Sequence, residues 1–284
     1  MPTPKDIRRR IRTVKNIEKI TNAMKMVAAA RLRKAQSRAE AARPYARKMH
    51  EVMGNLASSV GEIKHPLLEV RDEHNFGYVV IGADRGLAGS YNANVMSQAL
   101  ASIGDRDPEN VRLVLIGKKA VSFFRRRPYQ VAATLSPPGS EVSFIDIREM
   151  TTQVRSMFES REVDAVYLVY ARFISPMRQD PTTIKLLPMS APVADEAPAA
   201  EFIFEPEAAE LLAKLLPRYV DTEVYQALVE SQASEHGARM TAMTAATSNA
   251  GEMIDNLTLM YNKARQAAIT REIVEIVGGA EALR

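Results

Sequence analysis

The chain has 284 residues, with 38 Lys+Arg against 34 Asp+Glu, and it has no Cys and no Trp. Without cysteine there is no disulfide framework, thiolate zinc site, iron–sulfur cluster or cysteine nucleophile, and 46% apolar with 25% charged residues excludes a wholly disordered chain. No run approaches the roughly 18 uninterrupted apolar residues of a membrane span, and the opening MPTPKDIRRR lacks the apolar core of a secretory signal, so a soluble intracellular protein is expected.

The small net charge of +4 hides a polarity. Residues 1–48 carry fifteen Lys/Arg and three acids, which leaves the remainder acidic. A basic arm on an acidic body implies an acidic partner: nucleic acid, acidic lipid or an acidic protein surface. A solvated helix face is the plain alternative.

From about Lys5 to Val60 the chain is rich in Ala, Lys, Arg, Met and Glu, all good helix formers. Apolar residues at Ile7, Ile11, Val14, Ile17, Ile20, Met24 and Val27 form the stripe of a long helix that needs a partner. FGYVVIGAD (76–84) reads as a buried strand, 92–103 as a helix and 111–117 as a second strand. Residues 118–127 and 144–160 read as helices, while 164–173 and 182–190 read as strands of a hairpin. SAPVADEAPAA (190–200) reads as a linker or exposed loop.

The last segment starts among Glu205, Glu207 and Glu210, acids that suit the positive end of a helix dipole. Pro217 should kink or restart this helix, because it lacks an N–H and clashes with the preceding turn. Its stripe runs through Met253, Leu257, Met260 and Ala264, then Ile269, Ile273, Ile276, Ala280 and Leu283, at coiled-coil spacing. The small-residue stretch 234–251 reads as the part that packs on the body. Two stripes at opposite ends of one chain would pair as an antiparallel coiled coil. The fold class is therefore α/β: a long antiparallel coiled coil of the N- and C-terminal helices plus a small Rossmann-like α/β domain. Its parts are a shaft helix over 1–60, an α/β domain over 74–205 and a second shaft helix over 206–284.

Chemistry is sparse. His50, His65, His74 and His236 offer no metal-ligand spacing. Glu272 and Glu275 are neighbouring acids on one helix rather than a glycosidase pair. The loop GADRGLAG has Gly82, Gly86 and Gly89, which is neither a dinucleotide fingerprint nor a phosphate loop. Its glycines are expected to make a strand-to-helix turn that projects Asp84 and Arg85 outwards. No catalytic residue, metal site or cofactor is expected.

Three segments resemble one family. IRRRIRTVKNIEKITNAMKMVAAARLRKAQ (7–36) is similar to the opening of the γ subunit of F-type ATP synthases. ADRGLAGSYN (83–92) resembles that family's central motif, and YNKARQAAITREIVEIVGGAEAL (261–283) its C-terminal signature. The three occur in the family's order and span nearly the whole chain.

The resemblance implies a rotor shaft without a catalytic site of its own. Its partners would be the α and β subunits of the catalytic ring, the ε subunit and the membrane c-ring, with no nucleic acid and no lipid insertion. It implies β-subunit contacts at Met24, Lys25, Arg85, Arg265, Gln266, Thr270 and Glu275. It implies c-ring or ε contacts at Tyr219, Glu223 and Tyr225. The implied location is the cytoplasmic face of a bacterial membrane, with a mitochondrial source less favoured because Met1 leads directly into the helix. Ala88 replaces a cysteine found in many relatives, and the lack of any cysteine excludes thiol regulation. Pro217 is a departure from the pattern. Gly278 and Gly279 should weaken the helix end by about 1 kcal/mol each, so that it frays unless held in the ring. The alternatives are a basic coiled-coil nucleic-acid binder and an enzyme binding a nucleotide at the Gly86 turn. Against the first, a DNA-reading basic region lacks an apolar stripe through its middle.

Overall fold

A computed structural model describes residues 3–59, 65–135, 144–189 and 205–282. The 190–200 linker and Leu283 lie outside the described residues. In order come α1 (Pro4–Ser59), β1 (Phe76–Ile81), α2 (Tyr91–Ile103), β2 (Val111–Ile116), α3 (Lys118–Phe124) and β3 (Gln130–Leu135). They are followed by α4 (Phe144–Glu159), β4 (Ala165–Ser175), β5 (Arg178–Leu187) and α5 (Ala208–Ala282). The chain divides into two units, one of residues 1–28 with 240–284 and one of residues 29–239. Both long helices contribute to both.

The larger unit is built on a five-stranded sheet of order β3-β2-β1-β4-β5. β1 pairs in parallel with β2 and β4, β2 in parallel with β3, and β4 antiparallel with β5. The β1 sequence FGYVVI is an apolar run because both faces of a parallel sheet are covered. Tyr78, Val80, Leu113 and Leu115 meet α2 and α3 on one face. Val79, Ile81, Val114 and Leu168 meet α4 and α5 on the other. Met49, Met53 and Leu56 of α1 join that second core.

Pro217 does not restart the C-terminal helix: α5 runs through it unbroken. Leu212, Leu216, Val220 and Val224 are each at most 1% exposed. Spaced by four, they hold both sides of the proline in one core, which offsets the lost backbone bond. Beside them, Thr151 donates to buried Asp221, and Arg155 reaches Asp221 and the Pro217 carbonyl. The expected helix over 118–127 ends at Phe124, and β3 was not expected. The small-residue stretch divides: residues to Arg239 belong to the sheet unit, and those from Met240 to the other.

In the second unit α1 and α5 run antiparallel. Thr247 Oγ1 lies 2.8 Å from Thr21 Oγ1, and a Cβ on Gly251 would lie 3.9 Å from Glu18. Stepping back along α1 therefore moves forward along α5. Within this unit the buried α1 residues are Ile7, Val14, Thr21 and Ala28, a seven-residue repeat. The expected stripe leaves this seam after Val14: Ile17, Ile20 and Val27 are 47%, 59% and 52% exposed. That stripe averages fewer than the 3.5 residues per turn of a coiled-coil seam, so it winds off onto the open surface. On α5 the expected Met253 and Met260 are exposed, while their neighbours Ile254 and Tyr261 are half-buried with Leu257 and Ala264.

Candidate functional surfaces

In a doubly wound sheet, ligands bind beyond the carboxyl ends of the strands where the strand order reverses. Here the reversal falls between β1 and β4. β1 pairs with β4 only as far as Val169, so the polar backbone of Ala171 needs another partner. α5 supplies it: Ala171 N–H lies 3.4 Å from Ser231 Oγ, and Ser234 Oγ donates to Ala171 O at 2.9 Å. Ser231 and Ser234 are 2% and 0% exposed. At the same end, a Cβ on Gly237 would sit 3.1 Å from Pro176 Cα. The crevice that would take a nucleotide is occupied by this chain's own helix, which disfavours the nucleotide-enzyme reading.

The loop after β1 is held by side chains. Ala83 N–H donates to Asn92 Oδ1 at 3.0 Å. Asp84 does not project outwards as expected: its Oδ1 accepts from Lys118 N–H at 3.0 Å, at the first turn of α3. Arg85 does project, and is exposed. Leu87 beyond it has φ +63 and is 64% exposed, an uncommon backbone state for a bulky residue. Nothing in its residue type announced this.

Beneath the loop lies a polar cluster that sequence reading missed. Arg239 and His236 are 8% and 5% exposed. Arg239 Nη2 donates to Glu235 Oε1 at 2.7 Å and to Gly86 O at 3.2 Å. Burial pushes the His236 imidazole down to about 4, with the charges of Arg239 and Arg31 adding to the effect. Burial pushes the Glu235 carboxyl up against the pull of Arg239. Only the sequence SEHGAR hinted at the cluster, through a histidine, an acid and an arginine within one helical turn of each other.

The expected site residues fall in separate places. Met24 and Lys25 are half-buried on α1. Arg265, Gln266, Thr270 and Glu275 are exposed on α5. From Arg265 to Ala280 every residue is exposed, including Ile269, Ile273, Val274, Ile276 and Val277. Tyr219, Glu223 and Tyr225 all lie on α5 in the sheet unit and are half-buried, Tyr219 and Glu223 one turn apart and Tyr225 on a different side of the helix. His50 Nδ1 lies 3.2 Å from Tyr219 Oη, and Tyr225 meets Phe144 edge-on, centroids 5.8 Å apart. A cleft of about 560 Å³ beside them is lined by Glu40, Arg47, His50, Glu223 and Gln226. Burial raises the Glu223 carboxyl, and burial together with Glu223 raises the Tyr219 phenol. Among the described residues no acid–histidine cluster could hold a metal ion, and no helix is long and apolar enough to cross a membrane.

The class is set by two units, a mostly parallel sheet unit whose crevice is filled by its own helix and a paired-helix unit with one bare end. The family model described as ATP synthase matches residues 3–283, and the chain belongs to the ATP synthase gamma chain family. It is 50% identical over 283 residues to the ATP synthase gamma chain of Desulfitobacterium hafniense, covering 100% of both chains. The corresponding chain of Pelotomaculum thermopropionicum is 46% identical over 284 residues, again with 100% of both covered. A chain of the central stalk and c-ring structure of the Tetrahymena thermophila mitochondrial ATP synthase superposes with a TM-score of 0.60 at 26% identity, covering 80% of this chain and 99% of that one. One from the Euglena gracilis mitochondrial enzyme gives 0.68 at 19% identity, covering 99% and 94%, a likeness of fold. These relatives support the shaft reading and not the nucleic-acid alternative.

Proposed function

We propose that this chain is the central rotor shaft of an F-type ATP synthase and couples ion-driven rotation of a membrane c-ring to the successive states of catalytic β subunits. The observation that carries the reading is the bare end of α5. A helical end with five exposed Ile and Val residues gains nothing from its own chain and is marginal alone in water. It is the part a surrounding ring would enclose. Around it Arg265, Gln266, Thr270 and Glu275 supply the polar contacts to β, with Met24 and Lys25 on the companion helix. Arg85 supplies a cation for an acidic β segment.

Tyr219, Glu223 and Tyr225 form the proposed contact with ε and the c-ring, oriented by His50 and Phe144. The chain carries no catalytic site of its own: it acts through one rigid element whose orientation has a different contact energy with each catalytic site. It works at the cytoplasmic face of a bacterial membrane, as a peripheral subunit.

Reconstitution tests this. The purified chain is mixed with α and β subunits, the complex isolated by size, and ATP hydrolysis assayed with and without it. One copy per ring with raised, sustained hydrolysis is expected. A folded chain that does not associate would overturn the proposal.

A further inference from the structure

The buried guanidinium of Arg239 has a task that its own helix does not explain. A buried cation needs an opposing carboxylate and acceptors for its remaining N–H groups. Glu235, one turn earlier on α5, supplies the carboxylate at 2.7 Å. His236 Nδ1, 3.3 Å from Nη1, accepts in the neutral ring. The remaining partners lie 153 and 154 residues away in sequence: Gly86 O at 3.2 Å, and Arg85 O at 3.5 Å. These carbonyls belong to the loop that presents Arg85 and Leu87 to solvent.

That loop needs holding. Leu87 has φ +63 and Gly89 φ +55, and a bulky residue in the left-handed region persists only where its surroundings impose it. Asn92 and Asp84 fix the start of the loop, through Ala83 N–H and the α3 turn. Ala88, 1% exposed, fixes its far side. Between them the Arg85–Gly86 backbone is met from below by Arg239. A Cβ on Gly86 would meet no atom closer than the end of the Lys119 side chain at 3.7 Å, so packing alone does not confine this point.

We propose that Arg239 is a positioning residue: from α5 it clamps the Gly86 carbonyl and so holds Arg85 and Leu87 in the outward presentation that meets an acidic surface of the β subunit. This rests on the proposed contact of Arg85 with β. The clamp ties the tip directly to the helix that carries torque, so rotation of α5 reaches Arg85 without slack in the loop.

Two readouts test it, with Arg239→Gln, Arg85→Ala and the double variant made in the full chain. The first is amide hydrogen exchange of the loop 86–90 in the isolated chain. Arg239→Gln should speed it about tenfold while β1 and β2 amides keep their protection. The second is ATP hydrolysis after assembly with α and β. Arg239→Gln should lower turnover severalfold when Arg85 is present and by less than about twofold in the Arg85→Ala background, the non-additivity of two residues acting in series. Unchanged loop exchange, or the same fold loss in both backgrounds, overturns the proposal. Full turnover of Arg85→Ala together with faster loop exchange in Arg239→Gln overturns the contact assigned to Arg85 and leaves the clamp standing. Should Arg239→Gln not fold, Arg239→Lys carries both readouts, because the ammonium keeps the charge but, on a shorter side chain, does not place a nitrogen where Nη2 meets both Glu235 and Gly86.

Discussion

Thr21 and Thr247 meet through their hydroxyls, 2.8 Å apart, in the seam between α1 and α5. Thr21 Oγ1 also lies 3.0 Å from Glu18 O, and Thr247 Oγ1 2.8 Å from Met243 O. Each hydroxyl has one proton, so a single chain of donation runs through the pair in one direction at a time. At a core position of a coiled coil, a polar pair fixes register at a cost in stability. Thr247→Val should cost about 1 kcal/mol, a typical net hydrogen bond. Adding Thr21→Val should then cost less than Thr21→Val alone, since the bond between the two hydroxyls is already gone and Thr21 keeps only its bond to Glu18 O. Denaturant midpoints of the three variants check this, and strictly additive losses would show that the pair is not coupled.

Acid stability turns on His236. Its folded value of about 4 lies below the ordinary 6.5, so between these the unfolded chain binds the proton and the folded chain does not. The stabilisation is fully present above about pH 6.5 and is lost as pH falls towards 4, in total on the order of 3 kcal/mol. Glu235 acts with the opposite sign. Its raised carboxyl favours the folded state below the ordinary carboxylate range and loses that advantage as pH rises. His236→Gln, which keeps an acceptor for Arg239, should therefore make the acid limb less steep, while the opposed slope of Glu235 stays. Denaturant unfolding from pH 7 to 4.5 measures both slopes. An acid limb unchanged in the variant would remove His236 from the account.

Two glycines should respond in opposite directions. A Cβ on Gly117 would lie 2.3 Å from Gly82 O, and the residue has φ +88. Gly117→Ala therefore meets both a backbone clash and the wrong φ, and should cost about 4 kcal/mol or more, at the severe end for single substitutions. A Cβ on Gly278 would meet nothing within 4 Å. Gly278→Ala should add about 1 kcal/mol of helix propensity at the end of α5. Thermal midpoints report the first, and helicity by circular dichroism the second.

Sequence reading succeeded where one property dictates structure and failed where several share it. FGYVVI and VRLVLI are apolar runs bounded by turn residues, so β1 and β2 were legible. β3 was not: QVAATL lies at the sheet edge with small, partly exposed side chains and no clear alternation. The α1 stripe was traced through the largest apolar residues, yet the buried seam contains Thr21 and Ala28. Small residues take the close approach, and the large ones at Ile17, Ile20 and Val27 are left outside. Hydrophobicity marks what is to be buried, not whether this chain or a partner buries it. The outward position of Arg85 was legible from its motif. The Arg239 clamp was not, because its partners lie 153 and 154 residues away.

The bare end of α5 gives the sharpest separation of stability from function. Ile269, Ile273 and Ile276 are 47%, 55% and 71% exposed, so within this chain their packing contributes little. Proline in a helix interior removes a backbone hydrogen bond and clashes with the preceding turn, at about 3 kcal/mol. At Ile273 that loss is confined to a segment without tertiary contacts, so Ile273→Pro should leave the unfolding midpoint of the sheet unit unchanged. In the assembled enzyme the same substitution breaks the helix between the contacts proposed for Thr270 and Glu275. ATP synthesis driven by an ion gradient should then fall more than hydrolysis, because hydrolysis can proceed with a slack shaft while synthesis needs torque at the catalytic sites. Arg265→Ala, one turn below Ile269, keeps the helix and removes one proposed polar contact, so hydrolysis should fall with the fold intact. Normal gradient-driven synthesis in Ile273→Pro would mean that torque does not pass through this end of α5.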